Sequence, residues 1–90
     1  MHADHAKTKQ LLATARGQID GLIKMIDDDR YCIDISNQIM AVQAILSKVN
    51  REVLHAHLNS CVLDAFTTED LDDRQEKMDE MKMVIDKLSR

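Results

Sequence analysis

Proline and tryptophan are absent, and the 90 residues hold only two glycines, Gly17 and Gly21, and two ring aromatics, Tyr31 and Phe66. A chain with no proline, and no glycine after residue 21, has few tight turns, which disfavours a sheet and favours long helices. A core with so few aromatics must be built from Ile, Leu, Val, Met and Ala. No apolar run approaches the roughly 20 residues that span a bilayer, and no leader pattern opens the sequence. The expectation is a soluble, cytoplasmic protein with no membrane contact. There is also no glycine-rich phosphate loop, no serine beside an obvious His-Asp pair, and no sign of the ordered pocket a Cys-His hydrolase needs. No catalytic residues are assigned and an enzyme is not expected.

Charge is modest. Twelve basic and 16 acidic side chains give a net charge of −4, unlike an ordinary nucleic-acid binder. Residues 1–66 are nearly neutral, with seven basic and eight acidic side chains. Residues 67–90 carry five and eight. The length implies one domain, residues 1–90, whose small core oligomerisation would complete. Two cysteines in a cytosolic helical chain point to metal binding or redox chemistry rather than a structural disulfide.

The apolar spacing defines three helices after a mobile start over about residues 1–6. Leu11, Leu12, Ala15, Ile19, Leu22, Ile23 and Ile26 recur at three- and four-residue steps, predicting a helix over about 7–28. Gly17 and Gly21 each weaken it by roughly 1 kcal/mol, and close approach of another helix would explain them. Asp27, Asp28 and Asp29 mark a break whose charges suit the start of the next helix. The second helix, about 33–66, carries Ile35, Ile39, Val42, Ile45, Leu46, Val49, Val53, Leu58 and Val62. Thr67-Thr68-Glu69-Asp70 reads as a cap. A third helix follows over about 69–88, with Leu71, Met78, Met81, Val84, Ile85 and Leu88 on its apolar side. The fold class is all-α, a three-helix protomer with a long central helix.

His57 and Cys61 stand four residues apart, on one helical face, where both can reach one ion. Cys32 is the only other cysteine. Along a continuous helix it lies roughly 37 Å from His57, so one chain cannot gather all three. Two chains can, if their central helices pack antiparallel about a two-fold axis near Ile45 and Leu46, giving two identical sites per homodimer. Two thiolates and an imidazole are soft ligands that favour Cu(I), and with a fourth ligand they also serve Zn(II). The competing reading is two small core cysteines and a surface histidine. Tyr31 is either a hydrogen-bonding group behind the ligands or a packed aromatic. His2 and His5 either cap the site or are solvated, and His55 falls on another face. Most methionines occupy apolar helical positions, which favours core packing over copper handling.

Gly17-Gln18, the run Met25-Ile26-Asp27-Asp28-Asp29-Arg30-Tyr31-Cys32, Gln38-Ile39, and Val53 through His57 to Cys61 resemble the copper-sensitive operon repressor (CsoR) family. The resemblance covers roughly residues 10–64. It implies an antiparallel dimer forming a four-helix bundle, often a dimer-of-dimers homotetramer. It implies Cu(I) at Cys32, His57 and Cys61, and release of operator DNA on metal binding. Related nickel/cobalt, formaldehyde and persulfide sensors differ at these ligands. The resemblance also suggests coupling from His57 to an acid on the third helix, Glu76 or Glu80. Family members carry several basic residues before the Gly-Gln. Here only Arg16 is basic in that stretch, with Lys7 and Lys9 earlier and Lys48 and Arg51 on the second helix. These five are the candidate DNA contacts. The alternatives are a copper buffer or carrier that has lost DNA binding, and a thiol or persulfide sensor.

Overall fold

Asp4 sets the first boundary. Its carboxylate accepts a hydrogen bond from the Lys7 amide at 3.2 Å, satisfying one of the donors that a helix start leaves unpaired. Helix α1 therefore begins at His5, ahead of the first apolar repeat, and runs His5–Asp27. The computed structural model describes residues 1–89. Two helices follow, α2 (Cys32–Thr67) and α3 (Leu71–Leu88), and there is no strand among the described residues. The protomer is all-α, with a central helix of 36 residues. None of the helices is long and apolar enough to cross a membrane.

The three consecutive aspartates end α1 rather than begin α2. Asp29 has a φ of 52°. Its amide donates to the Ile26 carbonyl, and the Arg30 amide donates to the Met25 carbonyl, both at 3.0 Å. This pair of bonds closes a helix through one left-handed residue, a position where glycine is usual and aspartate is tolerated. At the other corner, Asp70 is the cap of α3. Its carboxylate accepts from the Asp72 amide at 2.9 Å and the Asp73 amide at 3.5 Å. Asp72 and Asp73 then place negative charge where the helix dipole favours it. Arg74 Nη2 donates to the Thr68 carbonyl at 2.8 Å and ties the corner together.

The chain gathers into two compact units, one comprising Asp4–Asn50 and the other Met1–Ala3 with Arg51 onward. In the first, Thr8 and Ala15 of α1 and Val42 and Val49 of α2 are buried. Each pair is seven residues apart, the period of a helix–helix seam. Gln38 Nε2 donates to Gln18 Oε1 at 3.4 Å. A Cβ built on Gly17 or Gly21 meets nothing within 4 Å. No helix of the same chain therefore approaches them closely.

The second unit pairs the C-terminal part of α2 with α3. Cys61 and Val84 are its buried apolar residues. The apolar side expected for α3 divides here. Asp73, Lys77, Glu80, Met81, Val84 and Leu88, at three- and four-residue steps, are the positions not fully exposed. Leu71, Met78 and Ile85 are exposed. The seven-residue spacing of these three draws a separate stripe, about 100° round the helix from Val84.

Candidate metal centre

The inner face of α3 carries Glu80 because it stands one turn before Val84, the most buried large side chain of the protein. A four-residue step turns only about 40° on a helix. Burying Val84 against α2 therefore directs Glu80 the same way. Glu76 is a further step round and is exposed. His57 and Cys61 share the facing side of α2 through their own four-residue spacing. The result is a group in which ligand atoms of His57, Cys61 and Glu80 all lie within 4.8 Å of one another.

Within it, His57 Nε2 and Glu80 Oε1 are 2.5 Å apart. A carboxylate only accepts, so Nε2–H donates and the Nδ1 lone pair is left for another partner when the ring is neutral. The hydrogen bond from His57 holds the Glu80 carboxyl below the ordinary glutamate range, against the opposing effect of desolvation. Cys61 is 3% exposed. Burial pushes its thiol above the ordinary cysteine value, and the negative charge and hydrogen bonding of Glu80 add to the shift. Lys77, 3.7 Å from Asp64, offsets this slightly.

The remaining candidates lie outside this group. Cys32, the first residue of α2, is exposed, as is Tyr31. Both belong to the Asp4–Asn50 unit. His5 and His55 are exposed. His2 is placed against the centre, with its ring centroid 5.9 Å from that of His57. Of the five basic residues, Lys7, Lys9, Arg16, Lys48 and Arg51 are all exposed. Lys9 and Arg16 share one face of α1 with Leu12 and Ala13, where they line a shallow depression.

The donor set decides what the centre suits. An imidazole nitrogen and a sulfur that becomes a thiolate are borderline-to-soft donors. The carboxylate is engaged by the imidazole, an arrangement that orients a ligating histidine from behind. Two such donors leave a soft ion short of one ligand, and the exposed Cys32 is the thiol not yet used. These residues fit Cu(I) when a second thiolate completes the set. The reach of Glu80 to Cys61 as well as His57 is the feature that sequence spacing did not supply, although the Glu80–Val84 step was its available signal.

The chain resembles known proteins over most of its length. Residues 4–87 match a family described as metal-sensitive transcriptional repressor. A copper-sensing transcriptional repressor CsoR from Mycobacterium ulcerans is 50% identical over 50 residues, covering 56% of this chain and 43% of that protein. The Bacillus subtilis CsoR is 42% identical over 59 residues, covering 66% and 58%. The copper-sensing repressor RicR of Mycobacterium tuberculosis is 39% identical over 71 residues, covering 72% and 74%. The chain thus spans less than half the length of the first of these relatives. Among solved structures, the nickel-responsive transcriptional regulator InrS superposes with a TM-score of 0.83 at 25% identity, covering 98% of this chain and 96% of that one.

Proposed function

Because the chain belongs to the metal-sensitive transcriptional repressor family, and so among regulators rather than enzymes, we propose that it is a Cu(I)-responsive repressor that leaves operator DNA when its metal site fills. The observation that carries this is the His57–Cys61–Glu80 group, which has an imidazole and a thiol ready and lacks one soft ligand. Cys32 of the partner subunit supplies that ligand in an antiparallel homodimer. The whole chain then acts as one sensing module in the cytoplasm, as a dimer or a tetramer. When bound, Cu(I) supplies a soft cation that ties two subunits together at each site.

The protein's own residues do the rest. Glu80 accepts from His57 Nε2–H and fixes the tautomer that presents Nδ1. Any movement of the His57 ring is felt by Glu80, and therefore by α3. Glu76 lies outside this contact, so Glu80 is the acid assigned to the coupling. Tyr31 of the partner subunit arrives with Cys32 and offers a hydroxyl to the same network. Lys7, Lys9, Arg16, Lys48 and Arg51 contact phosphate, each adding to the salt dependence of binding. Coupling is reciprocal: metal weakens DNA binding by the factor by which DNA weakens metal binding.

Titration with Cu(I) against a strong chelator tests the site. One Cu(I) per chain is expected, with a loss on the order of 100-fold in affinity for His57→Ala. Equal affinities would remove His57 from the site. Fluorescence anisotropy with the chain's own upstream DNA tests the repressor half. Apo protein should bind at low micromolar concentration with strong salt dependence, and Cu(I) should release it. Tight copper binding without any DNA binding would instead leave a copper buffer, a reading favoured by the few basic residues ahead of Gly17. A persulfide sensor is disfavoured because Cys61 is buried and its thiol is pushed up, the opposite of a reactive thiolate.

A further inference from the structure

Four methionines of this protein follow the ordinary pattern for the residue poorly. Methionine normally fills gaps in a core, yet Met1 is 64% exposed, Met40 54% and Met83 52%, and Met78 is also exposed. Two of them meet. Met1 and Met83 line one cavity of about 510 Å³ together with His2, His57, Glu80 and Lys87. Residues 1–3 belong to the compact unit containing α3, not to the unit of the helix they lead into. The backbone there is held back, with the Ala3 amide donating to Met1 Sδ at 3.3 Å. The terminal segment thus brings a thioether and an imidazole to the outer side of His57.

The inner ligands explain why such a place matters. Cys61 is 3% exposed, so an ion from solvent meets other donors before it meets this sulfur. The side chain of His57 is 38% exposed, and it lines the cavity, whereas Cys61 does not. The cavity therefore opens on the solvent-facing side of the centre. Thioethers are soft, uncharged donors that select Cu(I). Imidazole suits it too, and the ring centroid of His2 lies 5.9 Å from that of His57.

We infer that this cavity is a second, outer Cu(I) site, in which Met1, His2 and Met83 hold the ion beside His57 ahead of the buried thiol. The inference rests on the Cu(I) reading of the chain. The outer site is weaker than the inner one because it has no thiolate. Its ion keeps its oxidation state throughout, and only ligand bonds change.

The test uses the full chain with Cys32→Ser and Cys61→Ser, which removes the inner site, titrated with Cu(I) from a chromogenic chelator complex. About one Cu(I) per chain should remain. Met83→Leu, which nearly conserves volume, and His2→Ala should each weaken that residual binding by about tenfold or more. Ag(I), a diamagnetic stand-in, should shift the Met83 methyl and His2 ring resonances. In the protein with both cysteines, Met83→Leu should slow Cu(I) uptake in stopped flow while final affinity changes less than about twofold. No residual Cu(I), or residual binding indifferent to both substitutions, would overturn the outer site. Failure of the wild-type chain to bind Cu(I) tightly would overturn the sensor reading, and the cysteine-free titration distinguishes the two.

Discussion

His57 and Glu80 show how one contact can orient an imidazole within a candidate metal centre. Glu80→Gln keeps the side chain's shape and can still accept from Nε2–H, but it removes the charge. A loss of about 10-fold to 100-fold in Cu(I) affinity is expected for this partner, read by chelator competition. No change would show that Glu80 does not orient the ring. The sign of its titration follows from the direction of the shift. The folded carboxyl is held below the ordinary range, so the contact is in place at neutral pH and is lost only as pH falls through that lowered value. Cys61 goes the other way. Its thiol is pushed up, so what its burial contributes to stability is present below the ordinary cysteine value and declines as pH rises through the raised one. Near pH 8, iodoacetamide should therefore label the exposed Cys32 at least about tenfold faster than Cys61 in the apo protein. The Cys61 rate should keep climbing at higher pH. Mass spectrometry after timed labelling measures both, and equal rates would contradict the burial of Cys61.

Among the helices, the α1 terminus and the two glycines carry separate expectations. Asp29 holds a left-handed conformation that costs an L residue roughly 1–2 kcal/mol. Asp29→Gly should therefore raise stability by up to about 1 kcal/mol, after the extra freedom of glycine in the unfolded chain is counted. Thermal melting measures this, and a clear loss of stability would mean that the aspartate side chain matters more than the turn. Gly21 sits in α1 with open space around its Cβ position. In an isolated chain, Gly21→Ala should stabilise the helix by about 0.5–1 kcal/mol. If a second chain packs there, the same substitution should weaken the assembly instead, which sedimentation would detect.

At the scale of the whole molecule, the apolar surface exceeds what a chain of this size buries by itself. Leu12, Ile19, Ile23 and Ile26 on α1, and Ile39, Met40 and Leu46 on α2, are exposed. Regular runs of this kind are a surface awaiting a partner more often than free surface. Leu46→Glu places a charge where the proposed two-fold axis passes, and burying an unpaired charge is costly. The variant should shift sedimentation towards monomer. It should also lower Cu(I) affinity by roughly 100-fold, because Cys32 of the partner subunit no longer reaches His57 and Cys61. A variant that stays dimeric with full affinity would move the axis elsewhere.

The sequence by itself determined the helical class, the length of α2 and the pairing of His57 with Cys61. Each depends on local periodicity, on four-residue spacing, or on the absence of proline and of any glycine after residue 21. The family resemblance offered Glu76 or Glu80 as the acid beside His57. Only the tertiary structure put Glu80 in that contact, because the burial of Val84 fixes the rotation of α3, and rotation is set by packing rather than by composition. The same rotation sent Leu71, Met78 and Ile85 outward, although their apolar character had grouped them with Val84. Asp27–Asp29 were legible as a break but not as the end of α1, because a left-handed residue reveals itself only through the hydrogen bonds that close around it. The place of His2 against His57 was legible only as one of two open readings, a cap on the site or a solvated side chain. Nothing in the sequence distance between residues 2 and 57 records that the first residues pack with the last helix, and a contact of that kind exists only once the chain has folded.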